Sequence, residues 1–78
     1  MKEQIREHIG AAFMGGKGAP SDAQPLFTSG IIDSLGFIRL MSFLEKTFEV
    51  SIDVSQITIE NFDTVERIAR VVEASRRT

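Results

Sequence analysis

One short segment of the chain combines residue types suited to covalent phosphate chemistry. It is residues 30–36, Gly-Ile-Ile-Asp-Ser-Leu-Gly, which come directly before a strongly periodic apolar sequence. The periodicity places Ser34 at a helix start, where unpaired backbone N–H groups and the helix dipole favour negative charge. A phosphate esterified to the Ser34 hydroxyl would be stabilised there. Asp33 could accept a helix N–H or help to hold a metal ion brought by a modifying enzyme. The simpler alternative is that Asp33 or Ser34 is only an N-cap.

The composition argues against catalysis by this chain. It has 78 residues, no cysteine and one histidine, His8, and a domain of this size is too small for a core plus a deep active site. The segment 32–35 is close to the Gly-Asp-Ser-Leu signature of a hydrolase class. However, Ile32 replaces the glycine, and the only base, His8, belongs to the first helix. One histidine and scattered carboxylates do not form a metal-ligand set, so we expect neither an enzyme nor a metal site.

The elements that must position Ser34 begin with an amphipathic helix and a long loop. Between Lys2 and Met14, apolar residues recur at helical spacing; they are Ile5, Ile9, Ala12 and Phe13. Three glycines and a proline then end the helix and predict a flexible loop over about 15–24. This segment lacks the Gly-Lys-Ser/Thr ending and the preceding strand of a phosphate-binding loop. We expect the apolar pairs 26–27 and 31–32 to anchor the connection to the second helix.

The second helix has the clearest periodicity in the chain. It is predicted over about 34–48 from an apolar stripe that consists of Leu35, Ile38, Met41, Leu44 and Phe48. Three more apolar residues, Phe37, Leu40 and Phe43, fall outside the stripe. These three either face a partner or a bound chain, or pack against the first loop.

The second half of the chain predicts two further helical segments. Residues 50–54 alternate apolar and polar side chains, but no second strand is available to pair with them. We therefore expect an extended linker that buries Val50 and Ile52. A short helical turn around 60–62 would be capped by Thr58.

The last helix starts at Asp63 or Thr64, because Asp63 with Glu66 three residues later is typical of a capping box. Its buried face consists of Val65, Ile68, Ala69 and Val72. The prediction is a single all-α domain over 1–78, with three main helices, a short third helix and a tail at about 75–78.

These residues together resemble the acyl and peptidyl carrier proteins, whose attachment motif is Asp-Ser-Leu after a glycine and a long loop. The similarity covers nearly the whole chain and consists of Leu26-Phe27, Ser29-Gly30, Asp33-Ser34-Leu35, the stripe to Phe48, Ile52, Glu60-Asn61-Phe62 and Thr64-Val65. The family fold is a four-helix bundle with a short third helix, in agreement with the order of elements obtained from periodicity.

The resemblance implies a covalent cofactor. A phosphopantetheinyl transferase, with Mg²⁺ in its own site, would attach 4'-phosphopantetheine from coenzyme A to Ser34, while Asp33 and Leu35 complete the attachment motif. The thiol of this arm would hold acyl or aminoacyl groups as thioesters for fatty-acid, polyketide, nonribosomal-peptide or related biosynthesis. The implied partners are the transferase, an acyl- or aminoacyl-activating enzyme, and acyl-accepting or condensing enzymes.

The resemblance also suggests a subgroup and a partner surface. The pattern Leu-Phe-x-Ser-Gly-x-x-Asp-Ser over 26–34 is similar to discrete carriers such as the D-alanyl carrier protein or free-standing peptidyl carriers. Arg39 and Lys46 interrupt the acidic second helix found in many fatty-acid carriers, which argues against a general fatty-acid role. Residues proposed to contact partners are Phe37, Ile38 and Met41, with Leu35 as a further position for partner contact or cargo shelter. The alternative function is an unmodified helical docking module.

Charge and hydropathy restrict the partners further. Residues 22–66 carry eight acids against two bases, a balance that repels nucleic acid and suits proteins with basic patches. No apolar stretch approaches the roughly 20 residues of a membrane span, and the N-terminus has no apolar stretch of signal-peptide length. We therefore expect a cytoplasmic protein that does not insert into membranes. The carrier role implied by the resemblance, in which one face is presented to successive partners, predicts a monomer.

Overall fold

Four α-helices and one 3₁₀ turn make up the regular structure in the computed structural model, which describes residues 1–76. The helices are α1 (Lys2–Phe13), α2 (Ser34–Phe48), α3 (Ile59–Phe62) and α4 (Val65–Ser75), and the 3₁₀ turn is Val54–Gln56. Residues 1–76 contain no β-strand. The all-α class and the short third helix are confirmed. The predicted tail at 75–78 lies mostly outside the described residues, and Ser75 is the last residue of α4.

The helices enclose one apolar core to which every helix contributes. Its fully or nearly fully buried members are Ile5, Ile9, Leu26, Ile32, Leu40, Leu44, Ile52, Phe62, Val65, Ile68, Ala69, Val71 and Val72. α4 packs against both α1 and α3. The predicted buried face of α4 is confirmed, and Val71 extends it. In α1 the predicted apolar stripe is confirmed except at Ala12, which is exposed.

The buried face of α2 differs from the predicted apolar stripe. Leu35 and Ile38 are 69% and 64% exposed, whereas Leu40, which falls outside that stripe, is completely buried together with Leu44. Steps of three residues rotate backwards by about 60° each around a helix, so a stripe built from such steps drifts off any one face. The buried face of α2 instead follows steps of four, from Gly36 through Leu40 to Leu44.

Threonine side chains cap the starts of α3 and α4. Thr58 accepts a hydrogen bond from Asn61 N at 3.1 Å, which confirms the predicted cap of α3. The cap of α4 is Thr64, whose Oγ1 accepts from Arg67 N at 3.1 Å. The predicted capping box at Asp63 is therefore wrong. The Asp63 carboxylate accepts hydrogen bonds from another part of the chain, because three backbone N–H groups of the first loop lie within its reach.

The connection between α1 and α2 spans residues 14–33 and is anchored where the apolar pairs predict. Leu26 is completely buried and Ile32 is 2% exposed, while Phe27 and Ile31 are half-buried. The turn after α1 needs glycine, since Gly15 and Gly16 have φ angles of 64° and 73°. Between α2 and α3 the predicted burial of the linker is confirmed at Ile52, whereas Val50 is only half-buried. None of the helices described over residues 1–76 is both long and apolar enough to cross a membrane.

Candidate functional site

Ser34 is the first residue of α2, and its side chain is exposed. The N-cap of the helix is its neighbour Asp33, whose Oδ1 accepts a hydrogen bond from Gly36 N at 2.7 Å. Because Asp33 caps the helix, the Ser34 hydroxyl is not needed for capping. It lies among the backbone N–H groups of the first helical turn, where the helix dipole favours an attached anion.

The start of α2 is held close to the core by the absence of a side chain at Gly36. A Cβ atom at this position would lie 2.6 Å from Cε1 of Phe13 and 3.0 Å from Cγ2 of Ile32. Gly36 therefore lets the first turn of α2 sit directly on α1 and on the anchored loop. This packing fixes the position of Ser34, which is two residues away.

An apolar groove of about 600 Å³ opens beside Ser34, within the size range of small-molecule sites. The first loop, the first turn of α2 and the segment that enters α3 form its walls. The lining residues are Phe27, Ile32, Asp33, Ser34, Phe37, Ile38, Ile57, Thr58 and Ile59. Phe37 links the first loop to α3, because its ring makes edge contacts with both Phe27 and Phe62, at centroid distances of 5.4 and 5.3 Å.

The structure brings together most of the site residues predicted from the sequence. Asp33, Ser34, Phe37 and Ile38 line one groove. Leu35 lies outside this lining and is exposed, and Met41 is partly buried against the core.

Sequence reasoning missed the contribution of Ile57, Thr58 and Ile59. Ile59 is 63% exposed. Its apolar side chain alone did not indicate whether it would face the core or the surface. The alternation of Ile57 and Ile59 around a helix-capping threonine was the only available signal.

His8, the only histidine, belongs to a different part of the molecule. Its ring stacks on Phe43 with centroids 3.8 Å apart and planes 7° from parallel. Burial lowers the pKa of His8 below its ordinary value of 6.5. The groove lining contains no histidine within residues 1–76, so the described chain does not place His8 beside the Ser34 hydroxyl as a base.

Comparison with known proteins identifies the family. The profile described as "Phosphopantetheine attachment site" matches residues 3–72 of this chain. The chain belongs to the phosphopantetheine-attachment family of carrier proteins. Its cofactor is accordingly 4'-phosphopantetheine.

Individual relatives agree with this membership. This carrier protein is 32% identical over 74 residues to the probable acyl carrier protein PigG of Serratia sp. (strain ATCC 39006), covering 94% of this chain and 85% of the relative. It is 36% identical over 50 residues to the D-alanyl carrier protein of Streptococcus pyogenes serotype M1, a match that covers 64% of this chain and 63% of that protein.

A solved structure has the same fold. It is the crystal structure of Bradyrhizobium japonicum glycine:[carrier protein] ligase complexed with its cognate carrier protein and an analogue of glycyl adenylate. The match has a TM-score of 0.69 and 25% identity, and it covers 94% of this chain and 91% of the matched chain. Nearly the whole carrier domain is therefore shared.

Proposed function

We propose that Ser34 is the attachment residue of this carrier protein and that its cargo is an aminoacyl group held as a thioester. The observation that carries the assignment of Ser34 is its exposed hydroxyl at the start of a capped helix, beside an apolar groove. The D-alanyl carrier relatives and the neighbour that is complexed with a glycine ligase support an amino acid as the cargo.

The residues around Ser34 fit the phosphopantetheine group. A phosphodiester on Ser34 Oγ would lie at the positive end of the α2 dipole. The aliphatic part of the arm could lie against the apolar wall formed by Phe37, Ile38 and Ile59. The arm supplies a thiol, which is the reactive group that a chain without cysteine lacks.

In the attachment step the Ser34 hydroxyl acts as the nucleophile. Its oxygen bonds to the phosphorus that carries the pantetheine part of coenzyme A, and the bond from that phosphorus to the nucleotide half breaks. The hydroxyl proton passes to a base of the transferase. Exposure of Ser34 lets a separate enzyme reach it, and the Asp33 cap keeps the helix start formed while the hydroxyl reacts.

The exposed apolar side chains around Ser34 form a surface suited to partner enzymes. Leu35, Ile38 and Ile59 are each more than 60% exposed, and Ile38 and Ile59 line the same groove. Exposed apolar side chains that lie together mark interaction sites. We assign partner contact to Phe37, Ile38 and Met41. Ile38 is the most accessible of the three, and Phe37 mainly shapes the groove. The partners include the transferase and an aminoacyl-activating ligase.

Intact-mass spectrometry tests the assignment of Ser34. The protein is incubated with coenzyme A, Mg²⁺ and a broad-specificity phosphopantetheinyl transferase. We expect a gain of one phosphopantetheine in the wild type and in Ser42→Ala, which removes another exposed serine of α2, and none in Ser34→Ala. Because Asp33 is the cap, Ser34→Ala should change the free energy of unfolding by no more than about 0.5 kcal/mol.

Three results would count against the assignment. Loading of Ser34→Ala would move the site elsewhere. An unmodified wild type beside an active control carrier would favour a docking module without a cofactor. An unfolded Ser34→Ala variant would contradict the separate tasks of Asp33 and Ser34.

The cargo is tested on protein isolated from the cells that produce it. We expect a further adduct with the mass of an amino acid residue, which neutral hydroxylamine removes because it cleaves thioesters. A fatty-acyl mass instead would mean that the aminoacyl proposal fails.

A further inference from the structure

Asp63 makes a set of contacts that its position between α3 and α4 does not require. Its Oδ1 accepts hydrogen bonds from the backbone N–H groups of Leu26, Phe27 and Thr28 at 3.1, 2.8 and 3.1 Å. Its Oδ2 accepts from the hydroxyl of Thr28 at 3.0 Å, and its carbonyl oxygen accepts from Leu26 N at 2.7 Å. We call the four hydrogen bonds to the carboxylate the Asp63 clamp. The bond to the main-chain carbonyl shares the Leu26 N–H and does not depend on the Asp63 side chain.

The segment held by the Asp63 clamp leads directly to the attachment residue. Ile32 N donates to the carbonyl of Leu26 at 3.0 Å, and Gly30 N donates to the carbonyl of Phe27 at 3.1 Å. These bonds close residues 26–32 into a compact turn that ends at the Asp33 cap. Phe27 is also a wall of the groove beside Ser34. A displacement of the clamped segment would therefore move both the groove and the start of α2.

The carboxylate of Asp63 is well suited to holding the first loop. Partial desolvation raises the pKa of Asp63, but the hydrogen bonds from Thr28, Phe27 and Leu26 outweigh it, and the net pKa lies below its ordinary value of 3.8. Three hydrogen bonds to a charged carboxylate oxygen are stronger than three hydrogen bonds to a neutral carbonyl oxygen. Asp63 therefore holds the loop while it is ionised, and it loses this hold as the pH falls through its lowered pKa.

We propose that Asp63 is a positioning residue for attachment of the arm: its carboxylate holds residues 26–28 and thereby sets the geometry of Ser34 and of the groove. This inference rests on the proposed role of Ser34. Without the clamp the domain stays folded on its core, but residues 26–34 sample arrangements that the transferase cannot use. Apparent affinity falls in proportion to the fraction of chains that keep the competent arrangement.

Loading kinetics followed by intact mass test the proposal. In Asp63→Ala a competent fraction of about one fifth would raise KM for the carrier about five-fold and leave kcat nearly unchanged. Asp63→Asn retains an acceptor oxygen without the charge, so its KM should fall between those of the wild type and Asp63→Ala. The matched control is Thr64→Ala, which removes the adjacent cap of α4 at a cost of about 1 kcal/mol but leaves the clamp intact, and it should load with the wild-type KM.

Proton NMR provides a readout that does not involve the transferase. The amide signals of Leu26, Phe27 and Thr28 should shift together in an acid titration, with one midpoint below 3.8, and the common transition should be absent in Asp63→Asn. Wild-type KM in Asp63→Ala, equal KM increases in Asp63→Ala and Thr64→Ala, or amides without a common transition would each overturn the proposal. If Asp63→Ala fails to fold, the KM of Asp63→Asn and the acid titration of the amide signals test the proposal in its place.

Failure of the proposed function gives a different result. If wild-type protein is never modified, the role of Ser34 fails and the positioning role fails with it, whatever the titration shows. If the wild type is modified at Ser34 and the Asp63 variants load normally, only the positioning role is lost.

Discussion

At the scale of single residues, the start of α2 divides two tasks between neighbours. Asp33 uses its carboxylate to cap α2, while Ser34 contributes an exposed hydroxyl. Either residue would be an acceptable N-cap in isolation, so the sequence left the choice open. The structure settles the capping, because the carboxylate of Asp33 reaches Gly36 N. The hydroxyl is thereby available for reaction without weakening the helix.

Asp63 shows why a local pattern can mislead at this scale. Asp63 and Glu66 have the spacing of a capping box, but the adjacent Thr64 caps α4. The partners of Asp63 are more than 30 positions earlier in the chain. A contact over that separation depends on how the loop folds back on the α3–α4 junction, which no short-range pattern specifies.

His8 leads to a prediction about pH. Its Nε2 atom is buried without a hydrogen-bond partner among the described residues, and burial lowers its pKa below 6.5. The unfolded chain therefore binds a proton at His8 more readily than the folded chain, and stability should fall as the pH drops from about 7.5 to about 5.5. We expect this loss to be smaller in His8→Phe, which keeps the aromatic stack on Phe43.

Urea unfolding of the wild type and His8→Phe at both pH values measures this difference, since the carboxylates are common to both proteins. The ring signals of the single histidine give its pKa directly by NMR. A pKa at or above 6.5, or the same pH dependence in both proteins, would contradict the prediction.

At the scale of elements, the sequence predicted which helices exist better than which faces they bury. The bounds of α2 were predicted correctly, because an N-cap and a long apolar pattern coincide there. The short α3 was predicted from its threonine cap and from Phe62, which is completely buried. The prediction of the buried face of α2 was wrong because this helix has apolar residues on several sides. The buried face, which contains Leu40, is selected only by packing against α1 and the loop.

The C-terminal end of α2 offers a prediction of its own. Glu49 has φ 53° and ψ 49°, and it is the only non-glycine residue with positive φ among those described. This left-handed conformation costs about 1–2 kcal/mol with any ordinary side chain, whereas glycine adopts it freely. Glycine also gains freedom in the unfolded chain. The net result for Glu49→Gly should be a gain of about 0.5–1 kcal/mol in the free energy of unfolding.

Glu49→Ala is the matched control for this change. It removes the same carboxylate but keeps a Cβ atom in the left-handed conformation, so it should be no more stable than the wild type. Chemical denaturation of the wild type and of both variants measures the free energies of unfolding that are compared. Equal stability of the glycine and alanine variants would show that the backbone conformation is not the cause.

At the scale of the whole molecule, the position of charges matters more than their total. Residues 22–66 are acidic on average, but the exposed face of α2 is not. Arg39 and Lys46 are exposed there, and the one acid within α2, Glu45, is half-buried and accepts a hydrogen bond from Ile52 N at 3.0 Å. Along α2, starting from Ser34, a partner therefore meets apolar side chains first and then two bases.

This arrangement predicts how charge reversal on α2 changes the proposed loading of Ser34. We expect the transferase surface that meets this part of α2 to be acidic, in contrast to the basic patches expected from the charge of residues 22–66 as a whole. Arg39→Glu should therefore lower kcat/KM for the transferase by about two- to five-fold, the range expected for an exposed charge at the edge of an interface. The effect should shrink as salt is added, because exposed charges are screened. Lys17→Glu makes the same charge change in the exposed loop after α1, so it controls for net charge and should load like the wild type. Equal effects of both substitutions would assign the change to net charge, and faster loading of Arg39→Glu would show that partners present bases to α2.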